Sequence, residues 1–170
     1  MSKLAKTLEL GKFVVTVELN PPKGTNLGSL MGKARLLSKT VDAFNLTDSH
    51  RSQMSMSPLS TARLLVENGL EPILQVTGRD RNRIAIQGDL LGAHALGIPN
   101  VVCMTGDHPK GGDHPEATPV FDLDGIQILQ AISMLSSGTD LGGNKLEGNP
   151  EIFAGGVVNP GAYDLDQEIR

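Results

Sequence analysis

Apolar residues in this chain come as short continuous runs separated by longer stretches with a helical period. Phe13–Leu19 (FVVTVEL) is rich in β-branched residues and stops at Asn20-Pro21-Pro22, which cannot continue a hydrogen-bonded ladder. Similar runs recur at Ala43–Leu46, Pro72–Val76, Asn100–Met104 and Ile152–Ala154. Runs this short, without polar alternation, read as strands covered on both faces, the habit of parallel sheets. Between them the pattern predicts helices over Leu30–Leu37 with Ser29 as N-cap, and from Pro58 to a stop at Gly69 with Ser57 as N-cap. Two more are predicted over Arg81–Leu96, closed by Gly97, and Leu123–Leu135, capped by Asp122. In the Arg81–Leu96 helix the predicted buried stripe is Ile84, Leu91 and Ala95. Tyr163–Arg170 begins one further helix. The repeating unit of roughly 30 residues has the size of a βαβ crossover element.

Five such units in a single domain spanning residues 1–170 fit two α/β architectures. An open doubly wound sheet is complete at this length, whereas a (β/α)8 barrel takes about 250 residues. A last helix with no sixth strand after it suits an unfinished barrel, and spacing alone leaves the two level. Both architectures place ligands at the carboxyl ends of their strands. The 15 basic and 19 acidic residues give a net charge of −4 with no Lys/Arg-rich run, which argues against nucleic acid as a partner. Cys103 is the one cysteine; inside an apolar run it reads as a buried, inert thiol. Met1–Leu10 lacks the apolar centre of a signal peptide and no run approaches bilayer length, so a cytoplasmic protein with no membrane partner is expected.

The polar residues just past each strand define the kind of site. Glu18, Thr47 and Asp48, then Gln75, Thr77 and Arg79-Asp80, then Asp107 and Asn159, form a ring of acids and amides suited to a small-molecule enzyme. Glu18 follows Val14-Val15-Thr16-Val17, where partial burial would raise its pKa and let it donate a proton. The alternative is a charge on an exposed strand end. Val101–Asp124 contains GDHP twice, at Gly106–Pro109 and Gly112–Pro115. Asp and His invite a metal, yet no third cluster of His or Cys completes a ligand set, so none is expected. Asp107 also fits an Asx-type turn with Pro109. His50 and His94 stand alone and read as surface or packing residues, and Arg79, Arg81 and Arg83 with Asp80 read as a solvated face. Neither GxxxxGK[ST] nor GxGxxG is present, although helix N-termini can hold a diphosphate without them.

Glu18 in VELNPPKG, Asn45-Leu46-Thr47-Asp48, the block Glu71–Asp124 and Gly155–Pro160 together resemble the methylenetetrahydrofolate reductase family, in order from about Gly11 to Pro160. The resemblance implies an eight-stranded βα barrel, here a partial (β/α)8 TIM barrel of about the first five βα units, with FAD at its carboxyl face. It implies reduction of 5,10-methylenetetrahydrofolate to 5-methyltetrahydrofolate by reduced flavin, with NAD(P)H or another reduced donor behind it. On this resemblance Glu18 is the acid that protonates N10, and Asp107 lies near flavin and pterin. Thr47, Gln75, Thr105, Gly106 and Phe121 fall on flavin-lining positions, and Asn159 near the diphosphate or ribityl chain. The implied partners are the folate substrate and either a second copy, as a homo-oligomer, or an electron-transfer subunit. Relatives carry His where this chain has Gln75 and Asn159, and Arg where it has Thr105, which removes a phosphate partner. With no Trp, stacking on the flavin falls to Phe121 or aliphatic side chains. A truncated or non-catalytic homologue that binds flavin, pterin or a partner reductase subunit is the alternative, and a corrinoid-linked methyltransferase barrel is a third reading.

Overall fold

In the computed structural model, which describes residues 2–169, strands and helices alternate after one leading helix. The order is α1 (Lys3–Glu9), β1 (Thr16–Leu19), α2 (Gly28–Leu37), β2 (Ala43–Leu46), α3 (Pro58–Glu67), β3 (Pro72–Thr77), α4 (Arg83–Ala95), β4 (Asn100–Met104), α5 (Gly125–Ser136), β5 (Phe153–Gly156) and α6 (Leu165–Ile169). Single 3-10 turns at His50–Ser52 and Pro109–Gly111 lie in the loops after β2 and β4. No described helix is long and apolar enough to cross a membrane.

The strands form one all-parallel sheet in the order β1-β2-β3-β4-β5. A doubly wound sheet reverses direction at a switch point and covers both faces with helices. Here the order runs straight through. Val17, Leu19, Phe44, Leu46, Leu74, Val76, Val101, Cys103 and Ala154 share one face and join the core with α2 to α5 residues such as Ala34, Leu65, Leu90 and Ile132. The other face carries Glu18, Asn45 and Ile73 in direct register, then Gln75 beside Val102, and Thr77 beside Met104. One helix-covered face and one concave face make this an α/β fold with the geometry of a partial (β/α)8 barrel, and the open-sheet alternative falls away.

Several boundaries differ from expectation for local reasons. Strand β1 starts at Thr16, not Phe13, because it is an edge strand; Phe13 is 90% exposed and Val15 instead donates its N–H to Asp42 Oδ2 at 2.8 Å. Helix α2 starts one residue before Ser29, and Asn26 Oδ1 accepts the Gly28 N–H at 2.9 Å. Pro58 opens α3 as expected, with Ser57 at the N-cap position but without a side-chain cap bond. Arg81 lies outside α4, which is capped by Asn82 Oδ1 at 3.1 Å from both the Ile84 and Ala85 N–H groups. The buried stripe of α4 is Ile86, Leu90 and Ala93, whereas Ile84 is 77% exposed. The helix has apolar residues at helical spacing on opposite sides, and the phase set by Asn82 decides which side meets the sheet. Asp124, not Asp122, caps α5, forming a reciprocal capping box with Gln127. Asp122 is taken up by Arg83 instead. The start of the final helix is described, while Arg170 lies outside the described residues.

Helix α1 has no counterpart in the expected elements. Ser2 caps it, and Leu4 and Ala5 are buried. Its Leu4 N–H meets Glu71 Oε1 at 2.9 Å at the amino end of β3, and the same oxygen accepts Asn100 Nδ2 from β4 at 3.1 Å.

Candidate functional site

The loops that leave the carboxyl ends of β2, β3 and β4 enclose a cleft of about 490 Å³. Gln75, Thr105, Gly106, Asp107 and Asn159, read from separate parts of the sequence, all line it. Met104 and Val157 add apolar wall, and Asp48, Arg79 and His50 add charged or polar wall. Gln75 is buried, and its Oε1 accepts the Asp48 N–H at 3.4 Å. Its amide nitrogen has no hydrogen-bond partner among the described residues. Thr105 Oγ1 accepts the first N–H of α5 from Gly125 at 3.3 Å, tying the rim of the cleft to that helix.

Gly106 sits where only glycine fits without strain. Its φ is +91°, and a Cβ there would approach Thr77 Cβ to 3.0 Å. The turn it makes presents Asp107, which is exposed and whose carboxylate has no hydrogen-bond partner among the described residues. The alternative Asx turn at Asp107 is not formed; His108 caps the Pro109–Gly111 turn, its Nδ1 accepting the Lys110 N–H at 3.2 Å. The second GDHP is structural: Asp113 pairs with Lys23 from the β1 loop and accepts the Met54 N–H at 2.9 Å. These two contacts hold its carboxyl below the usual carboxylate range. Among the described residues no group of three or more His, Cys, Asp or Glu is arranged to hold a metal.

The arginine run is not a solvated face. Arg79 is 3% exposed and Asp48 is 8% exposed, and both belong to one network. Asp48 Oδ2 accepts the Thr77 N–H at 3.0 Å and Thr77 Oγ1 at 2.9 Å, and it pairs with Arg81, which also reaches Asp89 at 3.0 Å. Arg79 pairs with Asp80 through Nη2 at 2.6 Å. Burial opposes its charge, but the contact with Asp80 and the fields of Asp80, Asp48 and Asp107 raise its pKa above the ordinary arginine value. Beside it, Ser49, Arg51 and Ser52 all have φ near the left-handed value, at 52°, 52° and 55°. Non-glycine residues held there cost about 1–3 kcal/mol each and gather at functional sites. Sequence reading places Arg79-Asp80 in the carboxyl-edge ring but takes the arginine run as solvated, and it misses the burial of Arg79, the pairing of Arg81 and the strained loop. The available signal was Asp48 at the end of the neighbouring strand, a buried carboxylate that needs a cation.

Three expected site residues stand apart from the cleft. Thr47 is buried and donates to Asn20 Oδ1 at 2.8 Å, lining a smaller adjoining pocket of about 160 Å³ that shares His50 with the cleft. Phe121 lies behind the Asp107 loop, with its ring centroid 6.1 Å from that of His108 and its N–H on the Gly78 carbonyl at 3.1 Å. Glu18 is exposed on the concave face, one inward-facing layer below Gln75 by register. Its expected partial burial is not met, because β1 is an edge and that face is open beside it. His94, as expected, has a packing role, with Nδ1 accepting the Glu151 N–H at 3.1 Å.

A larger depression of about 660 Å³ adjoins the cleft through Met104, Thr105 and Val157. Asp124, Asp164 and Glu168 line it, and of the expected site residues only Thr105 reaches its wall. The amide-rich cleft is therefore the better candidate.

The family model for methylenetetrahydrofolate reductase matches residues 3–140, which is most of the chain and takes in β1 to β4, α5 and the Asp107 loop. No curated protein matches the chain. That family is a (β/α)8 barrel, with which the five parallel strands and their helices are consistent as a part, and the chain belongs to the methylenetetrahydrofolate reductase family.

Proposed function

We propose that the chain carries out flavin-dependent reduction of 5,10-methylenetetrahydrofolate to 5-methyltetrahydrofolate. The observation that supports this most is the convergence of Gln75, Thr105, Gly106, Asp107 and Asn159 on one cleft at the carboxyl edge. The lining fits a flavin ring in kind: amide groups suit the ring's polar edge, and Met104 and Val157 suit its apolar body. Gln75, Thr105, Gly106 and Asn159 would hold FAD, with Thr47 and Phe121 supporting it from the adjoining pocket and from behind the Asp107 loop. Hydride for the methylene carbon is what the flavin supplies when bound there.

The remaining chemistry belongs to side chains of the protein. The bridging carbon accepts hydride only after N10 has left it, and N10 leaves as an amine only with a proton. Glu18, on the inward face below the cleft, is the residue assigned to pass that proton to N10. Asp107 has a carboxylate free to accept hydrogen bonds from the pterin and to set the field at the ring. Asp48 orients Gln75 by donating its N–H to Oε1, so that the Gln75 amide nitrogen is the donor left for a ligand. The electron source is NAD(P)H or another reduced donor, and an electron-transfer subunit or a second copy is the partner to seek.

A donor-independent experiment tests the reading. The protein is loaded with FAD, reduced chemically under anaerobic conditions and mixed with 5,10-methylenetetrahydrofolate. Flavin reoxidation with formation of 5-methyltetrahydrofolate is expected, and Glu18→Gln should abolish it while flavin stays bound. A protein that takes up no flavin overturns the proposal. Exposure of Glu18 outside the cleft favours one second reading, a homologue that binds flavin or pterin without turnover; bound flavin with no reoxidation would select it.

A further inference from the structure

We propose that Arg79 is a positioning residue whose buried guanidinium ties the β2, β3 and β4 loops into one unit around the cleft. The inference rests on the reading of that cleft as the flavin site. Arg79 Nε and Nη2 clamp Asp80 at 2.6–3.0 Å, which fixes the plane of the fork. From that plane Nη2 donates to the Asp48 carbonyl at 3.2 Å, and Nη1 donates to the Ser49 carbonyl and Ser52 Oγ, both at 3.4 Å. Ser52 Oγ in turn donates to the Asp107 carbonyl at 2.8 Å. A continuous chain of hydrogen bonds thus runs from the β3 loop through the β2 loop to the residue assigned to flavin and pterin.

The main chain of the same turn extends the hub. The Arg79 carbonyl accepts the Val120 N–H at 2.8 Å, and the Gly78 carbonyl accepts the Phe121 N–H at 3.1 Å. Each segment that carries an assigned flavin contact between β2 and α5 therefore meets Gly78-Arg79. Two of the three left-handed residues, Ser49 and Ser52, are bonded by the guanidinium, so its bonds oppose relaxation of that turn. Charge alone cannot do this. A lysine ammonium is a point donor on a flexible stem and does not reproduce a planar fork that serves a carboxylate and two carbonyls together. The helix-covered core lies on the opposite face of β3, at Leu74 and Val76, so loss of the fork loosens the site before the fold.

The test uses the full chain as wild type, Arg79→Lys and Ser52→Ala, read by amide hydrogen exchange, FAD titration and thermal unfolding. Arg79→Lys should speed exchange at residues 49–53 and 105–108 and weaken FAD about tenfold, the scale of a lost charged hydrogen bond. Residues 73–76 and 100–104 should keep their protection. Ser52→Ala should speed exchange at 105–108 with the Arg79–Asp80 pair intact. Wild-type exchange in both loops of Arg79→Lys overturns the proposal, as does equal loss of protection in the core strands, which would make Arg79 a residue of the fold alone. Should Arg79→Lys fail to fold, unchanged exchange at 105–108 in Ser52→Ala overturns it. Loosened loops in a protein whose wild type takes up no FAD would overturn the flavin reading and support the positioning role.

Discussion

Burial pushes the Cys103 thiol up to about 12, and since the thiolate is the reacting form, the residue is protected twice, by access and by protonation. In native protein at pH 8 a disulfide reagent such as DTNB should release no rapid colour, with one thiol appearing only on unfolding in guanidinium. Prompt labelling of the folded protein would show a solvent path to β4 that its packing excludes. Asp122 carries the opposite shift. The Arg83 side chain and N–H hold its carboxyl down at about 2, against an ordinary value of 3.8. A depressed carboxylate adds stability above its unfolded pKa and loses it as pH falls through the folded one. Asp122→Asn should therefore lower Tm at pH 6, and the gap from wild type should close between about pH 4 and pH 2. A gap that persists at pH 2 would mean that Asp122 acts through shape, not charge.

At the scale of elements, the turn from β3 to α4 is the tightest point of the fold. A Cβ on Gly78 would fall 1.8 Å from the Leu123 carbonyl oxygen, a backbone atom with no room to rotate away. Gly78→Ala must push the approach to α5 off β3, which should cost about 1–3 kcal/mol or more in denaturant unfolding. A variant as stable as wild type would show that the two loops move independently. Strands were legible in the sequence because each contributes a short apolar run to the covered face, and Ala43–Leu46 and Asn100–Met104 match residue for residue. Helix starts were less so. Asp122 and Asp124 are equally good caps by type, and only the position of Arg83 separates them. The same limit applies to the site. Gln75, Asp107 and Arg79 follow from the rule that ligands sit at the carboxyl ends of strands, whereas the bonding of Arg79 does not, since beyond Asp80 its acceptors are two carbonyls and a hydroxyl of a loop 27 to 31 residues away. Glu18 was read as partly buried from its apolar neighbours, but strand alternation puts those on the other face and the edge leaves it open.

For the molecule as a whole, polar burial is divided between the two ends of the sheet. At the amino ends, Glu71 joins α1 to β4 through Leu4 and Asn100, and Asn100 is 1% exposed. None of these three residues lines the cleft at the carboxyl ends, where the Asp107 carboxylate has no hydrogen-bond partner among the described residues. In barrels of this kind the amino face carries stability and the carboxyl face carries function. Glu71→Ala leaves the Leu4 N–H short of an acceptor and weakens the seating of Asn100, so it should cost about 1–3 kcal/mol of unfolding free energy. Its FAD affinity, measured at a temperature where the variant is fully folded, should equal that of wild type. Asp107→Asn should do the reverse, leaving Tm within a degree or so, about the effect of a neutral surface change, while altering the flavin absorbance and folate binding. The two readouts separate because the covered core between the ends transmits packing but not charge over the length of β3 and β4. Weakened flavin binding in folded Glu71→Ala would show that the seating of α1 reaches the cleft, and that the barrel responds as one body.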